Sequence, residues 1–182
     1  MQWTLIETKN VYQAVPFIVQ ALELVDNRTN KPVSHPFHRL KSPDWVNILA
    51  VTESGDAILV NQQRAGTMEY NLEIPGGVID QGEDPLKAAT RELEEETGYI
   101  CQNIIKVSSI NPNPAIMTNT LHMYLATGCR LAEKRTHFPD ANESIEVLAV
   151  PLDELDGLIR QQKINSALAA LTYFMALKHL NS

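Results

Sequence analysis

The stretch that most constrains this chain runs from Gly76 to Tyr99. A glycine-rich loop, Gly76-Gly77-Val78-Ile79-Asp80-Gln81-Gly82, feeds a short and heavily acidic segment that ends at Thr97-Gly98-Tyr99. Both ends of a helix are marked in it. Asp84 suits the N-cap, and Pro85 suits the first helical position, where its missing N–H leaves no bond unmade. Gly98 can take the left-handed conformation that closes a helix. At about 100° per residue, Leu86, Ala89, Thr90, Leu93 and Thr97 fall on one apolar stripe. Glu92 and Glu96 lie one turn apart on another face, with Glu95 one step to the side.

Three carboxylates at i, i+3 and i+4 repel one another by a few tenths of a kcal/mol per pair. A cation removes that penalty. Oxygen ligands with no Cys or His nearby suit a hard ion that keeps several waters, Mg²⁺ or Mn²⁺ rather than zinc. A plain solvated acidic face is the alternative, and the spacing decides against it. Gly77, Glu83, Arg91, Glu92, Leu93, Glu95, Glu96, Gly98 and Tyr99 stand at the defined positions of the Nudix box. The chain therefore resembles a Nudix hydrolase.

That resemblance implies an α/β fold, an α/β/α sandwich with a mixed β-sheet, and metal-dependent hydrolysis of a pyrophosphate bond. It implies metal ligands at Glu92 and Glu96, with Glu95 completing the cluster, Glu83 joining it and the Gly76 carbonyl offering a further oxygen. Arg91 is expected to be held by carboxylates and to orient them. A catalytic base is expected from Glu143, in the loop before the last strand, with Glu146 as the alternative or a box glutamate such as Glu95 in its place.

Substrate class is written outside the box. Pro114 lies 15 residues beyond Tyr99, a spacing that resembles the ADP-ribose and nucleoside diphosphate sugar pyrophosphatases. The loop Asn111-Pro112-Asn113-Pro114, with Asn119 and His122 after it, departs from the usual ADP-ribose pattern and leaves room for GDP-mannose or UDP-glucose. Arg64, at a strand end, is a candidate for a bidentate phosphate contact. Glu73 resembles an acidic residue that lies beside the substrate in related enzymes. Phe17 and His38, with Trp3, Tyr12 and Phe37, could stack on a base, and His122 could reach a phosphate or sugar. For the aromatics the plain alternative is packing, and for His122 a structural hydrogen bond. A house-cleaning nucleoside triphosphate pyrophosphatase and a non-catalytic nucleotide sensor are the competing functions. The intact set Glu83, Glu92, Glu95 and Glu96 speaks against the sensor.

Around this stretch the chain divides into an N-terminal β module, residues 1–42, and a catalytic domain, residues 43–182. The module has a strand-like run from Phe17 to Val25 and a turn at 26–32. By resemblance it builds a homodimer and part of the base pocket. In the catalytic domain, strands are expected at Val46–Thr52, Ala57–Arg64, Asn71–Pro75, Ile104–Ile110, Leu121–Leu131 and Ile145–Val150. A helix from Pro151 to Arg160 and an amphipathic helix from Asn165 to Leu180 follow. Residues 133–144 read as a polar loop of lid-like length. With 182 residues and 44% hydrophobic content the chain can bury a real core. A net charge of −7 without a basic run argues against nucleic acid as a partner. No run of 18 apolar residues or signal sequence is present, so neither a membrane span nor export is expected. Cys101 and Cys129 have no metal-like spacing and suit a reducing compartment, so a cytoplasmic protein is the expectation.

Overall fold

The computed structural model describes residues 1–139 and 144–180. They form two compact units.

The first unit comprises Met1–Asp44 and Asn111–Thr120. Its strands are β1 (Trp3–Ala14), β2 (Phe17–Asp26), β3 (Lys31–Pro32) and β4 (Phe37–Lys41). The long hairpin β1–β2 carries the unit, and β2 pairs with β4 through its first half and β3 through its second. The turn after β2 is stapled by Arg28, whose Nε and Nη2 donate to the two Asp26 oxygens at 3.0 and 2.6 Å. The 111–120 segment is laced to β4: Leu40 N donates to Ile116 O at 2.6 Å and Thr118 N to Leu40 O at 3.1 Å. Thr120 N also donates to Asp44 Oδ1 at 2.7 Å.

The second unit comprises Trp45–Ile110 and residues 121 onward. Its elements are β5 (Trp45–Thr52), β6 (Asp56–Arg64), β7 (Glu69–Glu73), β8 (Gly76–Val78), α1 (Pro85–Thr97), β9 (Tyr99–Ile100), β10 (Asn103–Ile110), β11 (Leu121–Leu131), β12 (Ile145–Pro151), α2 (Leu155–Arg160) and α3 (Ala167–Leu180). The main sheet runs β10-β11-β5-β6-β12, with β7 also on β6, β8 on β5 and β9 on β11. Only β11 and β5 are parallel; the rest are antiparallel, so the sheet is mixed.

Strand alternation makes the layers. Val46, Ile48, Ala50 and Ile58 face α1 and pack with Ala88, Ala89 and Leu93. Leu49, Val51, Ala57 and Leu59 face the other way and pack with Leu155, Ala169, Tyr173 and Ala176 of α2 and α3. The result is the expected α/β/α sandwich. No helix among the described residues is long and apolar enough to cross a membrane.

Two expectations need correction. The apolar stripe on α1 is rotated: Leu86 is 42% exposed, Thr90 is exposed and folds its hydroxyl back onto Leu86 O at 2.9 Å, and Ala88 is buried in their place. Helical periodicity gives relative angles, but Glu94 and Glu96 are themselves buried, so polarity alone misplaces the inward sector. In the helical region after β12, the strand runs through Pro151, and a 3-10 turn, Leu152–Glu154, precedes α2.

Candidate active site

Asp84 caps α1 as its residue type requires, accepting from Leu86 N and Lys87 N at 3.0 and 3.2 Å. Gly98 closes it with φ +74°. Between those ends the acidic face is organised by one cation. Arg91 donates five hydrogen bonds: Nε to Glu83 Oε1 at 3.0 Å, Nη2 to Glu83 Oε2 at 2.9 Å and Val78 O at 3.1 Å, and Nη1 to Glu92 Oε1 and Glu95 Oε2, both at 2.9 Å. A guanidinium has five N–H groups, so none is left for a substrate phosphate. Every N–H of Arg91 is engaged in holding the loop and the carboxylates, and its hydrogen bonds to Glu83 hold that carboxyl below the usual range.

Glu96 lies deeper, 7% exposed. Its Oε2 accepts from Gly76 N at 2.9 Å and its Oε1 from Gln62 Nε2 at 3.3 Å. Burial pushes its carboxyl up to about 8, helped by the charge of Glu92, while the Gly76 N–H, Arg64 and Gln62 pull the other way.

Gly76 and Gly77 are both required, for different reasons. A Cβ on Gly76 would stand 2.3 Å from Val46 O, whereas one on Gly77 would stand 2.4 Å from the Glu92 carboxylate. The first clash is with backbone and the second with the end of a flexible side chain. Gly76→Ala is therefore expected to lose about 1–3 kcal/mol of stability, as overpacked sites do. Gly77→Ala should stay folded and lose activity because Glu92 is displaced. Thermal melts beside turnover assays check both; equal melting losses would contradict this division.

Arg64, Gly76, Gly77, Val78, Asp80, Arg91, Glu92, Glu95 and Glu96 line one cavity of about 430 Å³. Arg64 forms a two-point ion pair with Glu73, at 3.2 and 3.1 Å. The structure thus brings together Arg64, Gly76, Arg91, Glu92, Glu95 and Glu96, with Glu83 attached through Arg91 and Glu73 through Arg64. His122 is elsewhere in the unit, bonded through Nδ1 to Ser109 Oγ at 3.0 Å across β10–β11. Phe17, His38 and Asn119 belong to the first unit. Phe17 opens β2 at 36% exposure, His38 is exposed on β4, and Asn119 is buried with no hydrogen-bond partner for its amide. Glu143 lies outside the described residues. Glu146 sits on β12 opposite Asn61, whose Nδ2 donates to it at 3.1 Å. Gln62 is the next residue of β6, so by alternation Glu146 is on the sheet face away from α1.

Several residues here carry no sequence signal. Gln62 and Asp80 are ordinary polar residues in the chain. Glu94, at a box position open to any residue type, accepts from Thr136 N at 2.5 Å, from Thr136 Oγ1 at 2.8 Å and from His137 Nδ1 at 2.8 Å. Those bonds, His137 first, hold its carboxyl down at about 2. Arg135 donates to the Glu95 carbonyl and stacks over the Phe138 ring at 5.4 Å. Residues 135–138 are thereby docked on the last turn of α1.

Among the described residues no three His, Cys, Asp or Glu side chains stand ready-made around one point; Arg91 Nη1 is hydrogen-bonded to both Glu92 and Glu95. The donor chemistry still fits a hard divalent cation. The ligand atoms on offer are oxygens, and among the described residues the hydrogen-bond donors to the buried Glu96 carboxylate, Gly76 N and Gln62 Nε2, are neutral.

A NUDIX domain family model matches residues 41–171. The chain belongs to the Nudix family. It is 30% identical over 158 residues to an ADP-ribose pyrophosphatase of Bacillus subtilis (strain 168), covering 87% of this chain and 82% of that protein. It is 34% identical over 166 residues to an ADP-sugar pyrophosphatase of Mus musculus, covering 85% and 76%. A methanol dehydrogenase activator of Bacillus methanolicus is 30% identical over 181 residues, covering 96% and 95%. Among solved structures, an ADP compounds hydrolase has the same fold, with a TM-score of 0.84 and 21% identity over all of this chain and 95% of that one. This Nudix hydrolase therefore has the box residues, the pocket they build and the family's fold in one chain.

Proposed function

We propose that this Nudix hydrolase splits the pyrophosphate of a nucleoside diphosphate sugar, ADP-ribose or a relative such as GDP-mannose, into a nucleoside monophosphate and a sugar phosphate. The observation that carries the reading is the cavity lined by Arg91, Glu92, Glu95 and the buried Glu96, in which Arg91 holds Glu92 and Glu95 and ties Glu83 to them. The names of relatives aligned over most of the chain support the substrate class.

Water adds across the P–O–P bridge: its oxygen forms a new bond to one phosphorus, the bridging P–O bond breaks, and the released oxygen leaves on the other phosphate. Mg²⁺ or Mn²⁺, held by Glu92, Glu95, Glu96 and the Gly76 carbonyl, would neutralise charge on the attacking and leaving oxygens. The chain's own residues prepare the ground. Arg91 keeps Glu92 and Glu95 side by side despite their like charge. The Cβ-free Gly76 and Gly77 let the loop backbone approach a phosphate closely. Arg64, on the cavity wall, brings a positive charge where a phosphate would sit. Glu143 or a box glutamate takes the proton of the attacking water.

Incubation with Mg²⁺ and ADP-ribose, GDP-mannose, UDP-glucose or nucleoside triphosphates in ¹⁸O-labelled water tests the proposal. A monophosphate product from the sugars supports it and identifies the attacked phosphorus. Turnover of triphosphates alone, with release of pyrophosphate, overturns it in favour of the house-cleaning reading. Nucleotide binding without turnover overturns it in favour of a sensor.

The proposed dimer draws support from the first unit, where Ile6, Val11, Tyr12 and Val15 are each more than half exposed. So much apolar surface on one hairpin suits burial against a second copy. Solution scattering is expected to give twice the chain mass; a monomeric mass would sink the idea.

A further inference from the structure

We infer that Gln62 is the residue that orients the Glu96 carboxylate and so sets the affinity of the pocket for a divalent cation. The inference rests on the reading of Glu96 as a metal ligand.

A carboxylate needs two fixed points before its lone pairs aim in a set direction. Glu96 has them: Gly76 N–H on Oε2 at 2.9 Å and the Gln62 amide on Oε1 at 3.3 Å. The first comes from the start of β8 and the second from β6, inside the sheet. The sheet anchor is firm, because Gln62 pairs with Asn71 of β7 on one side and Ile145 of β12 on the other.

Alternation along β6 puts Ile58, Val60, Gln62 and Arg64 on the face that packs against α1. Ile58 and Val60 are fully buried and apolar, as that position asks. Gln62 is equally enclosed, 6% exposed, yet polar. An amide in such a place costs stability unless it is bonded, so a purely structural position would continue the apolar series. The choice of amide is informative as well. A Lys or Arg would neutralise Glu96 and compete with a cation. A neutral donor fixes the carboxylate while leaving its charge available.

The test is Gln62→Met, which keeps the length and bulk of the side chain and removes the N–H. Mn²⁺ binding is measured by electron paramagnetic resonance on the full chain without substrate, beside steady-state kinetics with Mg²⁺ and the best substrate. Groups that orient a metal ligand typically matter by about 10- to 100-fold, so the Mn²⁺ Kd is expected to rise and kcat to fall by that factor, with KM changed less than about twofold. Gln62→Asn, too short to reach Oε1, should behave the same way and guards against a folding defect in the first variant. Parental Mn²⁺ affinity in a folded Gln62→Met overturns the inference, and so does a loss of melting temperature with affinity intact. A parent protein that neither binds Mn²⁺ nor turns over substrate overturns the reading of the site itself, and the inference falls with it.

Discussion

Glu96→Gln is expected to lower kcat by about a thousandfold, about 4 kcal/mol of transition-state stabilisation, while the protein stays folded. The substitution keeps shape and removes charge, so it strips the proposed metal-binding carboxylate without opening a cavity. Its effect on stability is expected to be small. Burial already pushes the Glu96 carboxyl up to about 8, and a neutral group is no harder to bury there than an anion. The fixed donor Gly76 N claims the oxygen of the new amide, and the contact to Gln62 survives only if the Gln62 amide turns over to accept, so at most one bond is lost. That costs about 1 kcal/mol. Steady-state kinetics and a urea titration read the two effects separately. Full activity in the variant would refute the role given to Glu96.

Arg91→Ala is expected to damage both properties. Removing one partner of an enclosed ionic network leaves the others uncompensated, at a cost of about 3 kcal/mol. Here the orphans are Glu83, Glu92 and Glu95, all mostly shielded from solvent. Activity should fall about a hundredfold or more, because the two carboxylates proposed as metal ligands, Glu92 and Glu95, lose the group that keeps them side by side. The destabilisation should shrink when millimolar Mg²⁺ is added, since a cation relieves the same repulsion. Arg91→Lys should recover only part of either loss, because an ammonium cannot make five directed bonds. Urea midpoints with and without Mg²⁺ check this, and an unchanged midpoint for Arg91→Ala in EDTA would contradict it.

Much of the pocket was legible before any coordinates because its spacing is local. Asp84, Pro85 and Gly98 mark the helix, and residues three and four apart on a helix are neighbours whatever surrounds it. Strands with buried faces could also be read, since Val46–Thr52 and Leu121–Leu131 carry their apolar residues in recognisable runs. The hairpin strand Trp3–Ala14 was not, and its exposure explains why. Nearly every residue in it is exposed, so neither face needs to be apolar and no period of two is written into it.

What the sequence by itself determined is the acidic helix, its caps, the order of its carboxylates and the strands that bury a face, because each follows from periodicity and short-range geometry. Only the tertiary structure decided which sector of α1 faces the sheet, that Gln62 lies under Glu96, that Arg64 engages Glu73, and that Thr136 and His137 dock on Glu94. Gln62 and Glu96 are 34 residues apart, and Glu94 and His137 are 43 apart. Their meetings depend on strand register and on how the layers stack, and no local pattern encodes either.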